Sequence, residues 1–298
     1  MTALDNIRLR YLPVWALLSL CLILGLDIGL GINLSDRVLG WTFLILALVG
    51  WFGQAVWRHQ LDLSAFFGPF PTDPSAWGTV LVGVLAIDFF GEAQFHLLVP
   101  WLEQVSPWLA DRYVKNAVSP TGPIEYLRVA GAAVIVAPLV EEFFVRGLMY
   151  QRWAYAWDRP VLALLVTSAL FGLVHGHVLG AFVIGAVATL LYVRTRSLWA
   201  PIGMHAIENA IAVSGGLPME IGFEFASGGT SSGVVVGWLS LIASGLLLTW
   251  LLRRCWGSLY EPLPYVEHEQ RAEEILNEEE ASDNEETSDD TMPVTDRT

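Results

Sequence analysis

Apolar stretches broken by short polar turns fill most of the first 260 positions. About eight can be drawn: 12–32, 38–57, 76–100, 124–150, 160–177, 178–196, 199–215 and 233–252. A run of about 20 apolar residues makes a helix long enough to cross the hydrocarbon layer of a bilayer. A helix also satisfies its own backbone hydrogen bonds there. The pattern therefore predicts an all-α, polytopic membrane bundle of about eight transmembrane helices. The first stretch is too long for a signal-peptide core and lacks a small-x-small cleavage site, so it is read as a retained helix. Within 101–122, Trp101, Val105, Trp108, Leu109 and Tyr113 recur at helical spacing. Aromatic residues favour the headgroup level, which predicts an interfacial helix. Beyond Glu261 the apolar pattern is lost, and runs such as Glu278-Glu279-Glu280 and Asp289-Asp290 predict a disordered, acidic tail. The expected organisation is N-terminal membrane helices and an interfacial segment over 1–123, core helices over 124–215, a last membrane helix within 216–260 and the tail over 261–298.

Composition agrees with this reading. The 298 residues are 54% hydrophobic and 15% charged, with a mean hydropathy of +0.51, whereas a soluble domain is about 25% charged. The net charge of −14 is mostly a property of the tail. From Glu261 onward there are 14 acidic residues and 2 arginines, which leaves 16 acidic and 14 basic residues in the body. No basic stripe exists, so a nucleic-acid partner is excluded. The expected partners are membrane lipid and a membrane-associated peptide or protein substrate. Only Cys21 and Cys255 are present, which excludes a disulfide framework and a cysteine zinc site. With the N-terminus inside, Arg8, Arg10, Arg58, Arg152, Arg159, Arg194, Arg196, Arg253 and Arg254 fall on the inner side, against Arg37, Arg112 and Lys115 outside. The positive-inside rule then places both termini in the cytoplasm, in a multi-pass protein of the cell membrane.

Ionisable side chains inside apolar spans cost about 2.5–3.5 kcal/mol each on insertion scales, so they mark functional candidates. Three clusters stand out. In the first, Glu141-Glu142-x-x-x-Arg146, each helical residue turns about 100°. Arg146 therefore falls near Glu142, in the favourable i,i+4 order, and away from Glu141. One carboxylate is neutralised, and the other is left as a candidate general base. Pro138 lies one turn ahead and lacks a backbone donor, which predicts a local kink. The second is Phe171-x-x-x-His175-Gly176-His177. Phe171 and His175 share a face, while His175 and His177 oppose one another if the helix continues. The third is His205-x-x-x-Asn209, again on one face, with Glu208 on the other side of His205 as a candidate orienting group. Glu141 and His175 both lie 17 residues from Asp158, at the turn between their helices. An antiparallel pair would bring them to one level.

These three clusters, in this order, resemble the signature of the CPBP family. That family groups type II CAAX prenyl endopeptidases with bacteriocin-processing and abortive-infection-type proteins. Its pattern EExxxR, FxxxH and HxxxN reads here as Glu141, Glu142 and Arg146; Phe171 and His175; His205 and Asn209. The resemblance implies an intramembrane endopeptidase, a hydrolase cutting a CAAX-type, leader or other membrane-associated peptide. It implies that Glu141 activates a water, that His175 positions it, and that His205 and Asn209 stabilise the oxyanion. Glu142, Arg146 and Phe171 would support the site. No cofactor is expected. The alternative left open is a metalloprotease-like zinc site held by Glu141, His175 and His205.

A fourth cluster competes. Asp88, Glu92 and His96 lie at i, i+4 and i+8 on one face of the third span, with Asp27 in the first. Such a stripe suits a proton or cation path, so an ion-coupled transporter is the alternative function. A third reading is a non-enzymatic membrane immunity protein.

Overall fold

The computed structural model describes residues 14, 17–18, 36–59, 63–114, 123–175, 177–214 and 231–289. The expected first span, apart from three positions, lies outside them. All described regular elements are helical: α1 (Asp36–His59), α2 (Leu63–Phe67), α3 (Pro74–Val105), α4 (Pro107–Val114), α5 (123–157), α6 (Pro160–Leu173), α7 (Val178–Thr195), α8 (Trp199–Val213), α9 (Ser231–Cys255) and α10 (Pro264–Asp289). The chain divides into two units, 1–64 and 65–298. The first contributes α1, and everything below concerns the second.

In that unit α7 is the central element, with an almost unbroken buried run from Val187 to Val193. Around it pack α6, α8 and α3, and α9 runs along α3. The α6–α7 hairpin closes tightly because glycine lines its seam. A Cβ on Gly185 would lie 2.9 Å from Ser168 Cα, and one on Gly172 would lie 2.6 Å from the Val178 carbonyl oxygen. Small residues that let backbones meet are the usual means of helix association in lipid.

Three described helices are long and apolar enough to cross a membrane: α3, α7 and Ser232–Cys255 of α9. The expected count of about eight is thus not matched one for one. Helix α8 has 15 residues, about 22 Å at 1.5 Å per residue, and it carries His205 and Glu208. Helix α6 has 14. Helix α5 is interrupted by Glu141, Glu142 and Arg146. The helices that depart from a simple span carry the first three polar clusters, whereas the Asp88, Glu92 and His96 stripe lies on the span-length α3.

Helices α3 and α5 share a detail that the sequence explains. Each contains a π-helical turn that ends two residues before a proline, Gln94–Leu98 before Pro100 and Ala132–Val136 before Pro138, and α5 has a second π-helical stretch, Phe143–Tyr150. A proline inside an α-helix clashes with the carbonyl four residues earlier. Widening the preceding turn relieves that clash. The widened bonds run from Val99 N–H to Gln94 O and from Ala137 N–H to Ala132 O. The kink expected at Pro138 therefore takes the form of a widened turn.

Two expectations are corrected. Residues 101–105 belong to the end of α3, so among the described residues the separate helix is Pro107–Val114; Ser106, at φ −154° and ψ 87°, breaks the two apart. Trp101 and Trp108 remain exposed, as headgroup-level residues would be. The acidic tail is not disordered throughout, because Pro264–Asp289 is helical. Its first turn is tied down. Tyr265 N–H donates to the buried Gln151 Oε1 at 2.8 Å, the Tyr265 ring lies 4.3 Å from that of Phe66, and Glu267 pairs with Arg196. Glutamate and alanine, good helix formers, carry the helix onward.

Candidate active site

Glu141 and Glu142 stand side by side on α5 but meet different fates. Glu142 is sealed, with no accessible side-chain surface. Its Oε2 forms an ion pair with Arg146 Nη1 at 2.7 Å, and its Oε1 accepts from His205 Nδ1 at 2.8 Å. Arg146 is equally buried; its Nη2 donates to the Gly185 carbonyl at 3.0 Å, and its guanidinium sits 4.8 Å from the centre of the Phe171 ring. Removing one partner from such a buried pair costs about 3–5 kcal/mol.

Glu141 points elsewhere. Its Oε2 lies 3.6 Å from His175 Nε2 and 3.9 Å from His205 Nε2. That oxygen is buried and has no hydrogen-bond partner. The Glu141 and His175 side chains nevertheless keep 15% and 26% of their surface. The two imidazoles are held alike. His175 Nδ1 lies 2.6 Å from the Phe171 carbonyl. A carbonyl can only accept, so Nδ1 carries the proton. His205 Nδ1 likewise faces the Glu142 carboxylate. In both rings Nε2 is the nitrogen that turns toward Glu141.

Phe171 organises the cluster from below. Its ring is 4.3 Å from that of His175 and meets the His205 ring edge-on at 5.8 Å, with the Arg146 guanidinium nearby. An aromatic face beside a guanidinium is favourable, more so when desolvated. Helix α6 ends at Leu173, so His175 leaves the helix and turns toward Glu141. His177 caps the start of α7, its ring 6.0 Å from that of His175.

Asn209 is placed differently. Its Nδ2 donates to the Ala133 carbonyl at 2.7 Å, in the widened turn of α5, and its Oδ1 and second N–H remain for other partners. Helix α8, which carries Glu208, packs against α3, which carries Asp88. Both Glu208 Oε1 and Asp88 Oδ2 are buried without a hydrogen-bond partner. In the competing stripe, His96 Nε2 pairs with Glu92 Oε1 of its own helix at 3.0 Å.

Several contributors were not visible as a spaced motif. The Gly185 carbonyl receives both Arg146 and the Thr189 hydroxyl. The Ala133 carbonyl anchors Asn209. Phe143, beside Glu142, stacks on Phe67 at 5.4 Å and meets Phe66 edge-on at 5.8 Å. Their one sequence signal was Pro138, which marks the turn that presents Ala133.

The donor types suit zinc: two imidazole nitrogens and a carboxylate oxygen. Among the described residues, however, no three His, Cys, Asp or Glu side chains are gathered as a metal-holding group. Donors bound at about 2.0–2.1 Å to a tetrahedral zinc stand about 3.4 Å apart, slightly closer than the 3.6 and 3.9 Å found here. No step below is routed through a metal.

Buried acid–histidine chemistry inside an apolar helical bundle defines this chain as an integral membrane protein with a polar site. Residues 123–211, which carry all three clusters, match the family model described as type II CAAX prenyl endopeptidase, Rce1-like. The match covers the segment in which the three clusters resemble the CPBP signature. Over 82 residues it is 33% identical to a Bacillus subtilis (strain 168) protein named "Putative membrane peptidase YdiL", covering 26% of this chain and 33% of that protein. The chain thus spans about a third of that relative's length. No solved structure matches.

Proposed function

We propose that the protein is an intramembrane endopeptidase in which Glu141 activates a water molecule. The observation that carries the reading is the division of labour between the paired glutamates. Glu142 is occupied by Arg146 and His205, while Glu141 keeps an unpartnered oxygen facing two imidazole Nε2 atoms. Contacts of 3.6 and 3.9 Å are too long for direct hydrogen bonds, and a water bonded to these groups at about 2.8 Å would sit beside the line joining them.

In the proposed step, that water attacks the scissile carbonyl carbon and gives a proton to the Glu141 carboxylate. A tetrahedral oxyanion forms. Its collapse breaks the C–N bond, and the proton on Glu141 passes to the departing amine. His175, with its Nδ1–H fixed on the Phe171 carbonyl, presents Nε2 to orient the water. His205 and Asn209 face the oxyanion. To donate there His205 needs a second proton, on Nε2, and Asn209 must use the N–H not given to Ala133. The substrate is proposed to be a peptide segment presented from the membrane, of CAAX or leader type. The arginine-rich side, with both termini, is proposed to be cytoplasmic in the cell membrane. The family match favours neither an ion-coupled transporter nor a non-enzymatic immunity protein.

The test compares membrane-fraction proteomes of cells carrying wild-type protein or Glu141→Gln. Intact precursors should accumulate with the variant, and their missing termini would identify the substrate class. Identical termini in both would remove the reading. Metal chelation should leave cleavage unchanged; loss restored by added zinc would replace Glu141 as base with Glu141 as ligand.

A further inference from the structure

Three membrane-length helices end at one place. Helix α3 begins at Pro74, α7 ends at Thr195 and α9 ends at Cys255. Between these ends and the loop before α3 lies a cavity of about 360 Å³, lined by Phe70, Pro71, Thr72, Asp73, Arg194 and Arg254 among others. Its volume falls within the usual range for small-molecule sites, about 300–1,000 Å³. The loop is held in shape by Trp77 Nε1–H donating to the Pro71 carbonyl at 2.9 Å.

Most of the polar groups in this cavity are already committed. The Ser75 amide and hydroxyl both donate to Asp73, and the Ala76 amide donates to the Asp73 carbonyl. The Thr79 and Thr195 hydroxyls donate to backbone carbonyls. The first amides of α3 are therefore not offered to a ligand. The guanidiniums of Arg194 and Arg254 make no hydrogen bond or ion pair among the described residues. They act only at a distance: after the Ser75 hydrogen bonds, their charges help hold the Asp73 carboxyl below the usual carboxylate range. Two guanidiniums against one satisfied carboxylate leave the cavity net positive.

An apolar path leads into it. On α9, Leu246, Trp250 and Arg254 follow one another at one-turn intervals, and Leu246 and Trp250 are 69% and 45% exposed. An acyl chain lying along those two residues would bring its headgroup to Arg254. Guanidiniums recognise phosphate by paired, charge-assisted hydrogen bonds.

We propose that this cavity binds the phosphodiester headgroup of an anionic membrane lipid, held by Arg194 and Arg254. The cavity is separate from the Glu141 site, and the proposal does not depend on the peptidase reading. The test uses full-length protein reconstituted with equimolar phosphatidylglycerol and phosphatidylcholine, with retained lipid read by native mass spectrometry. Wild type should retain phosphatidylglycerol preferentially. Arg194→Gln with Arg254→Gln should lower that preference by at least about tenfold, since hydrogen bonds to charged groups are lost. Arg253→Gln, one residue away and outside the lining, should not. If the double variant does not fold, the single variants Arg194→Gln and Arg254→Gln should each weaken retention. Unchanged retention in the variants overturns the proposal. Displacement of the lipid by millimolar inorganic phosphate also overturns it, by assigning the arginines to free phosphate.

Discussion

Two constellations of acid and histidine lie within apolar helices of this protein, and their difference is instructive. Asp88, Glu92 and His96 run along one face of α3, and their close pair, His96–Glu92 at 3.0 Å, forms within that helix. Glu141, His175 and His205 come from α5, the segment after α6, and α8, and they converge within 3.6–3.9 Å. Beneath them lies a second layer, Glu142, Arg146 and Phe171. Spacing on one helix can place groups on a common face. It cannot supply a reaction centre with a base, an orienting group and oxyanion donors on different sides of a substrate. That requires convergence, and convergence needs fixed supports.

The comparison can be broken most severely at Glu141. Glu141→Gln removes the proposed base while keeping the shape, and cleavage should fall by about 10³-fold or more. The melting temperature should stay close to that of wild type, because the lost oxygen has no hydrogen-bond partner to strand. Asn209→Ala should lower the cleavage rate by about 10²-fold, the usual scale for a lost oxyanion donor, with a smaller change in KM than in kcat. Arg146→Met acts on stability instead. Leaving Glu142 buried against a neutral neighbour should cost about 3–5 kcal/mol, seen as a fall in unfolding midpoint. Combining it with Glu142→Leu should recover part of the loss, although His205 then lacks its anchor and cleavage stays impaired. Glu92→Gln should do least. It lies outside the Glu141 cluster and pairs with His96 of its own helix, so cleavage should change little. A large loss of cleavage there would give the two constellations equal standing.

The helical character was legible because long apolar runs leave few alternatives in a membrane. The Glu142–Arg146 pair followed from i,i+4 geometry, and the separation of Glu141 from it followed from the 100° turn. The approach of Glu141 and His175 followed from equal distances to Asp158. What could not be read depended on backbone groups and distant partners. The Gly185 and Ala133 carbonyls have no side-chain signature. The ordering of the first turn of α10 rests on Gln151 of α5 meeting Tyr265, 114 positions away. The widened turn before Pro138 had a visible cause, but which carbonyl it would present to Asn209 did not. Position on α8 gives the direction of Glu208, but which helix packs beside it is set by the tertiary fold.

The central claim is that adjacent glutamates carry separate duties, Glu141 chemistry and Glu142 architecture. Its most direct measurement is substrate cleavage and unfolding midpoint, recorded together, for Glu141→Gln and Glu142→Gln in reconstituted membranes. The account predicts that Glu141→Gln is inactive with a wild-type midpoint, and that Glu142→Gln has a clearly lowered midpoint. An active Glu141→Gln protein, or one that loses activity only because it unfolds, would contradict it.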